Sequence, residues 1–339
     1  MFIGGLAGGG SERVLANLAN NLSGKHSVYV VTGVPVDNEY MLNDSVKRYP
    51  ILKYRILADC HAVRCLVKKQ NMDTVIGMGI YANFIIGIIN FNLKTKMIIS
   101  ERNDPRHDHI SFKSRILRFL VYRRADFFVF QTHEEKEFYS KKIQNRGVVI
   151  HNVLKENLPM KKATAGKRFV AVGRLMPQKN YPMMLRAFEI VNKKIPDCTL
   201  EIYGVGTEYE KLMELTRQLK IDKAVTFKGF CNDVHDQVKE ADIFLMSSDF
   251  EGMPNALMEA MAMGFCTIST DCPAGGSAEI VTDGINGILV PVGDYNYMAE
   301  KIIDVLNDKN KRILIEENAI KIRNTHSTDV IIKQWEDIL

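Results

Sequence analysis

Asp249-Phe250-Glu251-Gly252-Met253-Pro254-Asn255-Ala256-Leu257-Met258-Glu259-Ala260-Met261-Ala262-Met263-Gly264 follows a strand-like run, Asp242 to Ser248, and reads as a turn opening into a helix. Pro254 is expected at the first helical position and Gly264 at its stop. A buried strand, a short turn and a helix form the repeating unit of a parallel α/β sheet. Within that unit Glu251 falls in the turn and Glu259 eight residues on, so two acids flank a helix N-terminus. That end offers unpaired N–H groups and a partial positive charge suited to a phosphate. The carboxylates beside it can accept hydrogen bonds from sugar hydroxyls.

Outward from this stretch the same unit recurs. Upstream, Arg168 to Val172 reads as a strand ending at Gly173-Arg174, with Lys179 close to the start of a helix over Tyr181 to Val191. Arg174 and Lys179 share one loop, where a guanidinium fork and an ammonium point charge can hold a diphosphate. Taken singly they are more often solvated surface charges. Thr199 to Tyr203 and Val225 to Phe227 are further strands, and the second runs into Lys228-Gly229-Phe230. Phe230 can stack on a base or fill a core. Downstream, Cys266 to Thr270 leads to a glycine turn at Gly275-Gly276. A phosphate carrying two polyhydroxylated groups, as in a nucleotide sugar, fits the cations, the helix end and the two acids together.

The first half follows the same grammar. Phe2-Ile3 and a run of glycines including Gly9 and Gly10 precede a helix with an apolar face, for which Ser11 is the expected cap. That strand is short, and the chain's first strand is expected to lack a few residues. Glycines before a helix can cradle a phosphate, bind a dinucleotide or simply make a tight turn. The next strand, Ser27 to Val31, ends at Thr32-Gly33 with no acid to hold an adenosine ribose, which counts against NAD. Thr74 to Gly77, Lys96 to Ser100, Phe127 to Gln131 and Gly147 to Ile150 continue as strands of a parallel sheet. Glu101-Arg102-Asn103-Asp104-Pro105 follows one strand end, a position where such sheets bind ligands, and also has the composition of a turn. The segments Tyr49 to Lys69 and Phe112 to Arg124 interleave basic with apolar residues, which suits either an anionic membrane surface or a solvated helix face.

Composition bounds the class. The chain has 339 residues, 46% apolar and 25% charged, enough for two globular domains, and its formal net charge of +5 gives no case for nucleic-acid binding. No apolar run reaches the roughly 20 residues of a spanning helix, and no signal peptide is read. None of the six cysteines sits in a C-x2-C pair, so buried reduced thiols are expected.

Glu251 and Glu259 make an E-x7-E pattern that resembles family 4 glycosyltransferases, and Gly173-Arg174-Leu175 with Lys179-Asn180 resembles that family's G-R-L-x-x-x-K-N segment. The resemblance covers nearly the whole chain, more strongly after about residue 168. It implies an α/β protein of GT-B fold, two Rossmann-like doubly wound parallel-sheet domains facing a cleft. The expected division is an acceptor-binding domain over 1–154, a linker over 155–167, a nucleotide-sugar domain over 168–323 and a helix over 324–339 crossing back to the first domain. It implies transfer of a hexose or N-acetylhexosamine, with retained configuration, from a nucleotide-diphosphate sugar, UDP-linked in this reading. The acceptor is a saccharide, on a polyprenyl diphosphate by likeness to bacterial enzymes of lipid-linked oligosaccharide, capsule or O-antigen synthesis. That expectation carries a cytoplasmic location, peripheral at the inner membrane face, with no cofactor and no metal.

By the same resemblance Arg174, Lys179 and Glu251 are catalytic, and Gly9, Gly10, Gly173, Phe230, Gly252, Met253, Pro254, Asn255 and Glu259 bind the donor, with Glu251 on the sugar and Glu259 on the ribose. Glu101 and Arg102 are assigned to acceptor or sugar; relatives carry a histidine near Arg102, and here His107 and His109 lie just downstream. A transferase with a small soluble acceptor, a nucleotide-sugar epimerase of the same fold and a non-catalytic subunit are the rival readings.

Overall fold

The computed structural model describes residues 1–7, 9–90, 93–102, 104–106, 112–162 and 167–339, with the side chains of Phe112 and Lys113 left aside. The chain divides into two compact units, Met1–Val153 with Thr328–Leu339, and Leu154–Ser327.

In the first unit β1 (Tyr29–Val31) pairs with β2 (Lys47–Tyr49), and β3 (Thr74–Met78), β4 (Lys96–Ser100), β5 (Phe127–Phe130) and β6 (Gly147–Val149) follow in that order, all parallel. Residues 1–3 fill the seam between the two groups. Phe2 is bridged in parallel to Val31 on one side and Gly77 on the other, with Phe2 N donating to Ile76 O at 2.8 Å and Val31 N to Met1 O at 2.9 Å. The expected opening strand is thus a single bridge on each side.

Alternation along the strands sorts their side chains onto two covered faces, as a parallel sheet requires. Val75, Met97, Ile99, Phe128 and Phe130 share one core with Val63, Ile86 and Val121 from the helices Ile56–Lys69, Ile80–Ile89 and Phe112–Arg124. Ile76, Ile98 and Val129 share the other with Leu15 and Leu18 of the helix Gly10–Leu22 and with Trp335 of the helix Thr328–Glu336. The first of these helices is capped at Gly9, not at Ser11. Ser11 lies inside its first turn, and the Glu12 carboxylate folds back over the space a side chain at Gly9 would take.

The second unit is one six-stranded parallel sheet, β7 (Arg168–Val172), β8 (Thr199–Tyr203), β9 (Val225–Gly229), β10 (Ile243–Met246), β11 (Cys266–Asp271) and β12 (Ile288–Pro291), in the order β12-β11-β10-β7-β8-β9. The order reverses between β7 and β10, and the crevice outside the carboxyl ends of such a pair is where open α/β sheets take their ligands. Phe169, Leu200, Ile243 and Ile268 pack on one face with Leu185 and Phe188 of the helix Tyr181–Lys194; Val170, Phe244 and Met246 pack on the other with Leu257 and Met261 of the helix Asn255–Ala262.

The segment read as a linker over 155–167 begins as part of this unit. Leu154 and Leu158 are buried in its core, Leu154 N donates to His326 O at 3.0 Å, and Arg323 Nη2 donates to Leu158 O at 2.8 Å. Those bonds also draw residues up to Ser327 into the second unit, past the expected boundary at 323. Residues 163–166 lie outside the described ones. All six cysteines are free, four of them buried, with Cys65 exposed and Cys231 between. No helix among the described residues is long and apolar enough to cross a membrane.

Candidate active site

The loops that leave β7 and β10 are adjacent because their strands are, with Ile243 opposite Phe169. After Gly173 the first loop closes with a short 3-10 turn, Pro177–Lys179, and Asn180 then takes a left-handed conformation, φ 42° and ψ 46°. Asparagine tolerates that region. Its side-chain oxygen accepts from Met183 N at 3.2 Å and so caps the helix Tyr181–Lys194. The Asn180 amide donates to Asp249 Oδ1 at 2.6 Å, Asp249 N donates to Gln178 O at 2.8 Å, Gln178 Nε2 to Phe250 O at 2.8 Å, and Ser247 Oγ to Lys179 O at 2.9 Å. These four bonds tie the loop carrying Lys179 to the loop carrying Glu251.

The result is an ion pair between Lys179 Nζ and Glu251 Oε1, with Ser248 Oγ donating to the same oxygen at 2.7 Å. The two side chains are only 18% and 10% exposed, so water screens the pair weakly. Arg174 stands in the same loop, exposed and without an ion pair to any described residue. Around Glu251, the Tyr181 phenol is raised by burial and then by the carboxylate's charge. The Cys272 thiol is pushed up to about 12, also mainly by burial and then by Glu251, which keeps it a protonated thiol rather than a nucleophile.

A third loop backs the second. Glu251 N donates to Pro273 O at 3.3 Å, and a β-carbon at Gly276 would fall 1.5 Å from Gly252 O. Only glycine permits that approach. Gly252, Met253 and Pro254 are buried under this contact, and the helix then runs Asn255–Ala262. Pro254 is its cap, one position earlier than expected, at φ −79° and ψ 96°. Asn255 and Ala256, partly exposed, open the first turn, and Leu257 N and Met258 N both donate to Pro254 O at 3.1 Å. One turn on, Glu259 Oε2 lies 2.9 Å from His235 Nε2, and His235 Nδ1 lies 3.2 Å from Lys155 Nζ. Phe230, at the end of β9, is 66% exposed and so is not a core aromatic. Gly173 is half-buried beneath the Tyr181 hydroxyl, which donates to its carbonyl at 3.0 Å.

The second unit therefore gathers Gly173, Arg174, Lys179, Glu251, Gly252, Met253, Pro254, Asn255 and Glu259 around one pair of strand ends. Phe230 belongs to the same unit but follows β9 at the edge of the sheet, away from that pair of strand ends, and the other candidates belong to the first unit. Gly9 and Gly10 start its first helix. Glu101 is buried and accepts from the Tyr122 hydroxyl; Arg102 donates to Asn152 Oδ1 at 2.9 Å and lies 5.8 Å from the Trp335 ring. Burial lowers the Arg102 guanidinium to about 10, against the opposing pull of Glu135 and Glu101. Asn103, His107 and His109 lie outside the described residues. His235, Lys155 and Ser248 enter the site without having stood out in the sequence. Among the described residues no three His, Cys, Asp or Glu side chains converge as metal ligands.

Residues 154–322 match the family model of glycosyl transferases group 1. The chain is 26% identical to an uncharacterized glycosyltransferase of Haemophilus influenzae, over 98% of this chain and 96% of that one. It is 27% identical to the N-acetylgalactosamine-N,N'-diacetylbacillosaminyl-diphospho-undecaprenol 4-alpha-N-acetylgalactosaminyltransferase of Campylobacter jejuni, over 92% and 91%. In fold it is similar to Anabaena HepE in complex with UDP, a TM-score of 0.84 at 18% identity over 99% of this chain and 98% of that one.

Proposed function

We propose, for a chain that belongs to the group 1 glycosyltransferases and has their two Rossmann-like domains, that it moves a hexose or N-acetylhexosamine from a UDP-sugar to a saccharide on a polyprenyl diphosphate, in bacterial cell-surface glycan synthesis. Configuration at the transferred carbon is retained, and no metal takes part. The observation that carries this reading is the convergence, at the reversal point of the sheet, of two cations, a helix N-terminus and two flanking carboxylates.

Each part has a task. Departure of the nucleoside diphosphate concentrates negative charge on its terminal phosphate. Arg174, Lys179 and the positive end of the helix Asn255–Ala262 offset that charge in place of a metal ion. Glu251, oriented by Ser248 and Lys179, accepts hydrogen bonds from the donor sugar, and Glu259 accepts them from the ribose. The acceptor hydroxyl passes its proton to the departing phosphate oxygen on the same face of the sugar, so no side chain is assigned as base.

UDP is favoured by the likeness to HepE, which was solved with UDP and with UDP-glucose. A lipid-linked acceptor is favoured by the Campylobacter jejuni relative, whose name specifies a diphospho-undecaprenol substrate. The helix Phe112–Arg124 adds a physical argument for work at a membrane. Ile116, Phe119 and Leu120 are 48%, 60% and 52% exposed, and Arg115, Arg123 and Arg124 are exposed beside them. Apolar side chains rimmed by arginine suit an anionic lipid surface.

The test is a thermal-shift panel of nucleoside diphosphates and nucleotide sugars with the full chain, since a ligand that binds only the folded state raises its melting point. UDP and one UDP-sugar should raise it and adenosine analogues should not. No response to any nucleotide would overturn the reading.

A further inference from the structure

We infer that His235 is a positioning residue of the donor site, held by Lys155 so that its ring fixes the carboxylate of Glu259 against the ribose. The inference rests on the role given above to Glu259.

His235 lies on the short helix Val234–Val238, after β9 and before β10. Nothing near it in sequence marks it, and both its partners come from far along the chain. Its Nε2 is 2.9 Å from Glu259 Oε2, 24 residues away, and its Nδ1 is 3.2 Å from Lys155 Nζ, 80 residues away. The chemistry of these partners sets the tautomer. A lysine ammonium has only donors, so the nitrogen facing it accepts, and the ring proton resides on Nε2 and is donated to Glu259. The His235 and Glu259 side chains are 12% and 10% exposed, beside a recess walled by Val172, Val238, Phe244, Met263 and Phe265. In such surroundings a hydrogen bond to a carboxylate is stronger than in water.

The consequence is orientation. Glu259 projects from the second turn of its helix, and an unbraced glutamate samples several rotamers. A carboxylate has about four acceptor sites, so donation from His235 leaves capacity for ribose hydroxyls while removing rotational freedom. The same logic governs histidines that are themselves oriented by a partner behind them. His235 acts at the ribose end and touches no group assigned to the reacting carbon, so its effect falls on donor affinity and not on the chemical step.

The experiment measures Kd for UDP and for 2′-deoxy-UDP by calorimetry on the full chain, with His235→Ala, His235→Gln and Glu259→Ala beside the native protein; GDP and 2′-deoxy-GDP replace them if the donor panel selects guanosine. The native chain should prefer the ribonucleotide by about tenfold, the worth of a charged hydrogen bond. His235→Ala should reduce that preference to about threefold or less, mostly by weakening UDP, with kcat at saturating donor within about twofold of native. His235→Gln, whose amide N–H replaces Nε2–H, should restore the preference. A loss of packing alone would weaken both nucleotides equally and leave the ratio unchanged, and that result, or tighter UDP binding by His235→Ala, would overturn the inference. If Glu259→Ala also leaves the ratio unchanged, the ribose role of Glu259 falls with it. If Glu259→Ala lowers the ratio and His235→Ala does not, only the role of His235 falls.

Discussion

Replacing Gly276 with alanine should disable the site from behind. The added methyl carbon would lie 1.5 Å from Gly252 O and 2.8 Å from Pro254 Cδ. A carbon and a carbonyl oxygen rest at about 3.3 Å, so one loop must retreat by about 1.8 Å. The Gly276 side is pinned, because Ser277 Oγ lies 3.0 Å from Ser269 Oγ in the neighbouring strand. The movement therefore falls on Glu251-Gly252-Met253-Pro254, the segment that sets both the acid and the helix N-terminus. Misplacement by about 1 Å can cost a catalyst ~100-fold, so kcat/KM for nucleotide-sugar turnover should drop by about that factor or more. Overpacking should cost about 1–3 kcal/mol of stability, a fall in Tm of roughly 2–4 °C per kcal/mol for a unit of this size. The assay is UDP release during transfer, read beside a melting curve. Gly24→Ala is the control, since its nearest non-neighbouring atom would be 3.7 Å away. A Gly276→Ala protein within threefold of native turnover and with an unchanged Tm would refute the claim that this contact holds the loop.

Glu251→Ala should lower transfer by about 10²–10³-fold while leaving UDP affinity within a few fold, whereas Glu259→Ala should weaken UDP by about tenfold; equal affinity losses in calorimetry would contradict the assigned roles. Phe119→Ser with Leu120→Ser should abolish co-sedimentation with vesicles containing anionic lipid and leave UDP binding untouched, and undiminished vesicle binding would remove the helix Phe112–Arg124 from the membrane argument. Arg48 clasps Glu39 through two bonds, at 2.5 and 2.9 Å, and this holds the carboxyl below its usual range. A lowered folded value means the stabilisation is complete above the unfolded glutamate value of about 4.3 and disappears as pH falls through the folded one. Glu39→Gln should thus cost about 1–3 kcal/mol at pH 7, and the gap between native and variant melting curves should narrow on acidification; a gap independent of pH would refute the pairing.

The interior strands were legible because each is a short apolar run buried on both faces: Lys96–Ser100, Arg168–Val172 and Thr199–Tyr203 have the bounds their residues announce. Lys47–Tyr49 gave no such signal. It pairs with β1 alone at the end of the sheet order and is partly exposed, so its Lys-Arg-Tyr composition reads as loop. Ser11 has the chemistry of a cap, but the backbone enters the helix at Gly9, where Glu12 needs the space. At the site, Glu251, Pro254 and Glu259 stood out because glycines and a proline punctuate the segment. Ser248 and the bond from Asn180 to Asp249, 69 residues apart, came only with the fold, since local pattern carries no information about which loops meet. His235 is the extreme case, a lone histidine whose role is defined wholly by distant partners.

The helix Thr328–Glu336 belongs to the unit that begins the chain, with Trp335 buried beside Leu15 and Leu18. Unit 1 is therefore spatially whole but temporally split. A ribosome that has finished Val153 must still translate through to Trp335 before this core can close, on the order of ten to forty seconds at ordinary elongation rates. During that interval the core that Leu15 and Leu18 share with Ile76, Ile98 and Val129 lacks Trp335 while Leu154–Ser327 is made. The unit whose residues are begun first is thus the one whose residues are completed last.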